Sequence, residues 1–122
     1  MKRKARNIKV GIATEEQVNK EFINAWHKAE KGKIEVTEER LYFVEPKIFF
    51  QVLSKRRIEL LKILHDRGLS SIRELSRILQ RDYKNVYQDV KLLKKIGLIH
   101  EDQNKRIYVP WDKINAEISL AA

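Results

Sequence analysis

Residues 71–109 read SIRELSRILQRDYKNVYQDVKLLKKIGLIHEDQNKRIYV, and their punctuation decides the fold. Ser71 and Glu74 form a capping box ahead of an apolar set, Ile72, Leu75, Ile78 and Leu79, which predicts a helix over 72–79. Gln80-Arg81-Asp82 is a tight polar turn, and Asp82 is a good N-cap for a second helix over 83–96. Gly97 ends that helix. With Leu93 before it and Leu98 after it, the pattern is that of a Schellman stop. Strands over 98–101 and 105–109 follow, joined by Asp102-Gln103-Asn104, where Asn104 tolerates a positive φ and can close a hairpin.

The second helix has two unlike sides. At about 100° per residue, Val86, Val90 and Leu93 fall on one face. Lys84, Gln88, Lys91 and Lys95 fall on the opposite one, with Tyr87 at its edge. Burying the aliphatic face leaves a basic, hydrogen-bonding face outward, of a width that a DNA major groove admits. Tyr83, Lys84, Tyr87 and Gln88 lie near the helix N-terminus, where base edges are reached in helix-turn-helix proteins. Glutamine suits adenine, and lysine suits guanine. Lys91 and Lys95 are placed for phosphates, as are Arg81 in the turn and Arg73 on the preceding helix. Lys105 and Arg106 flank the hairpin tip and could reach a minor groove or its backbone. Asp89 points partly inward and is expected to pair with a basic group.

Outward from this stretch, Ser54 caps a helix over 55–67, with Ile58, Leu61 and Leu64 on one side and Leu60 and Ile63 adjacent. Gly68 ends it with the same Schellman pattern, Leu64 before and Leu69 after. Pro46 starts a short helix to Leu53 whose Ile48, Phe49, Phe50, Val52 and Leu53 are apolar on more than one side, as in a buried helix. Ile8, Val10 and Ile12 alternate as in a strand, and Thr14 with Gln17 caps a helix to about Lys31. That helix carries the stripe Val18, Phe22, Trp26 and Ala29, joined by Ala25, which must pack on something. Strand pieces are expected at 34–36 and 40–44, and Ile114, Ala116, Ile118 and Leu120 suggest a terminal strand. The fold class is therefore α+β. A winged helix-turn-helix spans 54–111, an N-terminal strand-helix-strand extension with the short helix spans 1–53 and is expected to be a docking or dimerisation element, and a C-terminal strand over 112–122 packs on that extension.

Among 122 residues there are 26 Lys and Arg against 17 Asp and Glu, a net charge of +9. Residues 1–9 carry +5, residues 10–53 carry −2, and residues 54–111 carry +7. The basic part asks for a polyanion. There is no cysteine, so disulfides and thiolate-bound zinc are excluded, which fits a reducing cytoplasm. No apolar run reaches the roughly 18 residues of a membrane span, and no signal peptide is expected. His27, His65 and His100 form no motif, and neither a Gly-rich phosphate loop nor a nucleophile elbow occurs. Neither an enzyme nor a metal or other cofactor is expected.

RDYKNVYQDVKLLKKIGLI, residues 81–99, resembles the recognition helix and following turn of MarR-type winged-helix regulators. More narrowly, LSKRRIELLKIL, SIRELSRIL, RDYKNV and the segment Val109-Pro110-Trp111-Asp112 resemble a family of small predicted prokaryotic transcriptional regulators. The resemblance covers nearly the whole chain. It implies a cytoplasmic homodimer that binds double-stranded DNA, with repression as the expected outcome. The alternative it suggests is an antitoxin whose N-terminal half neutralises a toxin protein while the other half binds its own operator.

Overall fold

Helices α4 (Ile72–Leu79) and α5 (Tyr83–Lys95) are the elements around which one unit of the protein is organised. In this computed structural model, residues 6–30, 39–118 and 120 are described. They divide into two units. The first is residue 6 with 51–112, and the second is 7–50 with 113–120. The first boundary falls after Phe50, inside a helix, rather than after Leu53.

In the first unit, α3 (Lys55–Arg67) precedes α4 and α5. Leu60, Leu61 and Leu64 of α3, Leu75 of α4, and Val86, Val90 and Leu93 of α5 form its core, joined by Leu98, Ile99, Ile107 and Trp111. Ile58 and Ile78, expected inward, are exposed. Two short antiparallel strands, β3 (His100–Glu101) and β4 (Ile107–Tyr108), form a hairpin. Ser70, buried between α3 and α4, exchanges two backbone hydrogen bonds with Ile107 at 2.8 and 3.0 Å, so the hairpin is tied to the helices. The Trp111 indole N–H donates to the Gly97 carbonyl at 3.2 Å, which anchors the chain after the hairpin to the end of α5.

The helix ends follow local chemistry, with three departures from expectation. Ser71 Oγ accepts from the Glu74 N–H at 3.1 Å, but the Glu74 carboxylate turns to Arg67, so only half of the capping box forms. The α5 stop is a full Schellman motif, with Leu98 N–H bonded to Leu93 O and Gly97 N–H to Lys94 O. Gly97 has φ +91°, which glycine adopts without a Cβ penalty. The α3 stop is simpler. Gly68 N–H alone bonds Leu64 O and His65 O, and Leu69 stays exposed. Asp82 precedes α5 as expected but makes no side-chain capping bond.

The hairpin tip corrects the Asn104 expectation. Lys105, not Asn104, has the positive φ, +62°. Asp102 O accepts from Lys105 N–H, and Asp102 Oδ1 accepts from the N–H groups of Asn104 and Arg106 at 2.9 and 2.8 Å. That is a type I turn followed by a left-handed residue, the usual three-residue hairpin loop. A left-handed non-glycine residue costs about 1–2 kcal/mol, partly offset by the entropy that glycine loses on folding. Lys105→Gly is therefore expected to stabilise the protein by about 0.5–1 kcal/mol in a urea titration.

In the second unit, β1 (Asn7–Ile12), α1 (Glu15–Glu30) and β2 (Glu39–Phe43) form a parallel strand-helix-strand unit. β5 (Lys113–Ile118) pairs in parallel on the other side of β1, giving the order β2-β1-β5. The strand piece expected at 34–36 and residues 1–5 of the basic N-terminal segment lie outside the described residues. Thr14 and Gln17 form the complete capping box, each side chain bonding the other's N–H. The side of α1 turned to the sheet is set by Glu21, which accepts hydrogen bonds from Tyr42 and Arg40 of β2. The expected apolar stripe is consequently turned out, with Phe22 68% and Trp26 59% exposed. The side chains of Ala25 and Ala29 lie outside the described ones. In α2 (Pro46–Val52), Phe49 and Val52 are buried, and Phe49 packs edge-on against Phe43, but Ile48 and Phe50 are exposed, so the helix is not buried all round.

Gly11 sits in the middle strand because nothing larger fits. A Cβ there would lie 2.8 Å from the Glu117 carbonyl oxygen and 3.3 Å from the Tyr42 ring. Gly11→Ala is expected to destabilise the protein by about 2 kcal/mol, seen as a lowered urea midpoint, since overpacking costs of that order are typical.

The polar cluster beside it gives this unit a pH dependence. The Tyr42 hydroxyl, and then the Arg40 charge, hold the Glu21 carboxyl below its ordinary 4.5, against the opposing effect of burial. Burial, and then the bond to Glu21, push Tyr42 above 10.0. The stability from Glu21 is present above pH 4.5 and is lost as the pH falls through the lowered value. That from Tyr42 is present below pH 10.0 and is lost as the pH rises through the raised one. In melting curves taken against pH, Glu21→Gln should flatten the acid limb.

Among the described residues, no helix is long and apolar enough to cross a membrane.

Candidate nucleic-acid interface

The outer face of α5 is open along its length. Val86, Val90 and Leu93 are buried, while Tyr83, Lys84, Tyr87, Gln88, Lys91 and Lys95 are all exposed. The 3.6-residue period imposes this division, since burying one side of a helix exposes the other. Lys84, Lys91 and Lys95 have no carboxylate partner among the described residues, whereas Lys94, one residue away, pairs with Glu101. Charge on the open face is thus unneutralised.

At the start of α5 the aromatic groups are organised. The Tyr83 and Tyr87 rings stack at 6.2 Å with an interplanar angle of 30°. The Arg73 guanidinium of α4 lies 5.3 Å from the Tyr83 ring centroid. Arg73, Tyr83 and Tyr87 therefore form a ladder joining α4 to α5, with both rings still 43% exposed. Their hydroxyls and edges remain available to a ligand. Arg77, one turn beyond Arg73 on α4, is exposed and without a carboxylate partner among the described residues. Sequence reading passed over it, although its i, i+4 spacing from Arg73 was the available signal. Lys105 and Arg106 are exposed in the hairpin turn.

Arg81 does not belong to this surface. It was expected at phosphate, but its side chain is only 16% exposed and its Nη2 donates to Asp89 Oδ2 at 2.7 Å. The other carboxylate oxygen accepts from Arg57 Nε of α3 at 3.1 Å. Arg57 also donates through Nη1 to the Gln51 carbonyl at 2.6 Å. The turn explains the inward course. Gln80 takes the left-handed conformation, φ +53°, with its N–H on Arg77 O and the Arg81 N–H on Ser76 O. That is a Schellman closure with glutamine where glycine is usual. The residue following it is directed back at α5. Arg81 thus fixes the turn between the two helices rather than meeting a ligand.

The open face and the hairpin lie within a segment, residues 52–116, that matches the model of the HVO_A0114 family. That segment covers more than half of the chain. The chain belongs to the HVO_A0114 family. No curated protein and no solved structure matches it. The HVO_A0114 segment contains α3 to α5, the β3–β4 hairpin and the first four residues of β5. It thus includes every residue of the candidate surface, and also the Arg57–Asp89–Arg81 cluster that orients α5.

Proposed function

We propose that this HVO_A0114 protein is a sequence-specific transcriptional regulator of double-stranded DNA, acting in the cytoplasm as a dimeric repressor. In this reading α3 to α5 and the β3–β4 hairpin form a winged helix-turn-helix, as the resemblance of residues 81–99 to MarR-type regulators implies. α5 enters the major groove. Tyr83, Lys84, Tyr87 and Gln88 meet base edges, Arg73, Lys91 and Lys95 meet phosphates, and Lys105 and Arg106 reach the backbone or minor groove beside it. The observation that carries the reading is the exposed row of Lys84, Gln88, Lys91 and Lys95, whose lysines have no carboxylate partner among the described residues, on a helix whose other side is core. Phosphate contacts release counterions, so affinity would fall steeply with salt. With about eight phosphates contacted by a dimer, the slope of log affinity against log salt would be about −7. The test is selection of bound fragments from genomic DNA, followed by a salt titration on the enriched sequence. Absence of an enriched sequence, or binding that salt leaves unchanged, would overturn the reading.

A second reading, a toxin-neutralising antitoxin, is favoured by one observation. Phe22 and Ile23 of α1 are more than half exposed, as at a protein-binding surface. Co-expression with the neighbouring reading frame and size-exclusion chromatography tests it, and failure to co-elute removes it.

A further inference from the structure

We infer that the outer edge of β5 is the dimer interface, paired antiparallel with the same strand of a second copy about a two-fold axis through Asn115. The inference deepens the proposed function and rests on its claim of a two-fold dimer.

Among the described residues, β5 has one open edge. In the order β2-β1-β5, β5 is hydrogen-bonded to β1 on one side only. Among the described residues nothing pairs with its other side, where alternate backbone N–H and C=O groups point outward. Four of its six residues, Lys113, Ala116, Glu117 and Ile118, are exposed. An edge of this kind is a template for another strand.

The sequence of the edge, KINAEI, selects its partner. A two-fold axis normal to a sheet pairs antiparallel residues of like parity, and every contact occurs twice. With the axis at Asn115, Lys113 of one copy opposes Glu117 of the other, twice. Ile114 opposes Ala116, also twice, and Asn115 meets itself. Both charges then face their opposites, and both apolar residues face apolar ones. Shifting the register by two residues destroys this match, because Lys113 then faces Asn115, or Asn115 faces Glu117. Opposed charges favour such a pair, and like charges disfavour it.

The groups concerned are ready for this role. Lys113 has no carboxylate partner among the described residues, although a lysine on an edge without a complement would repel a second copy. Glu117 is bonded to Lys9 of the central strand at 2.8 Å, and its side chain is still 56% exposed. That bond holds Lys9 above its ordinary 10.5 and orients the carboxylate on the face that Lys113 of a second copy would share. Pairing would convert two three-stranded sheets into one of six strands and remove one exposed edge from each copy.

The test uses the full chain in the absence of DNA. By sedimentation equilibrium, Lys113→Glu and Glu117→Lys should each raise the dimer dissociation constant by at least about tenfold, because each places like charges opposite twice. Mixing the two variants should restore dimers, since every opposed pair in the heterodimer is again Lys with Glu. Asn115→Cys adds the only thiol to a cysteine-free chain. Opposed Cα atoms about 4.5–5.5 Å apart fall within disulfide range, so mild oxidation should link it to itself. Asn104→Cys, in the hairpin turn, should remain unlinked. A monomeric wild type, unaltered dimers in both charge variants, no rescue on mixing, or no linkage at position 115 would each overturn the inference. These outcomes are read without DNA. An intact β5 dimer that selects no DNA sequence would instead sink the regulator reading and leave the interface standing.

Discussion

Replacing Lys84, Lys91 and Lys95 together by alanine is expected to abolish DNA binding at physiological salt while leaving the fold unchanged. All three are exposed and carry no ion pair among the described residues, so their removal should shift stability by no more than about 0.5 kcal/mol. In the proposed reading Lys91 and Lys95 each meet one phosphate, so a dimer loses four phosphate contacts and the salt slope should become shallower by about 4, while the loss of Lys84 removes a base-edge contact. Affinity should fall by at least about a hundredfold. Gln88→Ala provides the contrast. It removes a group suited to a base edge, so it should relax sequence preference by about 1–3 kcal/mol at one position and leave the salt slope alone. Fluorescence anisotropy against salt, on selected and scrambled duplexes, separates the two effects. A triple variant with the wild-type slope would place the DNA elsewhere.

The open face of α5 could be read from sequence because a helical period assigns sides without knowledge of the partner element. Val86, Val90 and Leu93 are buried, and the lysines opposite them are exposed. Arg81 could not be placed in the same way. A charged residue in a polar turn reads as solvated, and only the left-handed Gln80 directs it inward. The available hint was Asp89, an acid next to Val90 on a helix otherwise basic. The hairpin tip failed for a related reason. Asparagine is the commoner left-handed residue, but the Asp102 side chain bonds the N–H groups of Asn104 and Arg106, and the positive φ falls at Lys105. Alternation identified β5 as a strand, but pattern carries neither partner nor direction, and its parallel pairing with β1 is set by tertiary structure. On α1 the apolar stripe was visible, but the polar partners of Glu21 on a distant strand were not, and they decide which side meets the sheet.

Asp89→Ala is expected to destabilise the protein by about 3 kcal/mol, because it removes the acceptor shared by two largely buried guanidinium groups. Two buried nitrogens of Arg81, Nε and Nη1, have no hydrogen-bond partner among the described residues, so the bond from Nη2 to Asp89 is a large part of what compensates its burial. Arg57 would keep its bonds to the Gln51 and Val52 carbonyls but lose its counter-charge. The cost lies in leaving cations unpaired rather than in losing an attractive pair. Replacing all three residues by apolar ones of similar size should therefore cost much less than the single change. Urea titrations of both variants distinguish these accounts. The consequence for function follows from geometry. Asp89 lies on α5, Arg57 on α3, and Arg81 in the turn before α5, so the cluster fixes the rotation of α5 about its own axis. Each residue of rotation turns the face by about 100°, so under the proposed reading even a fraction of that error would move Gln88 off the base edge assigned to it. Asp89→Asn keeps one oxygen acceptor and should lose less stability. It should nonetheless weaken selection of the preferred DNA sequence more than it weakens binding to unrelated duplex, because phosphates tolerate a rotated lysine and base edges do not tolerate a rotated glutamine.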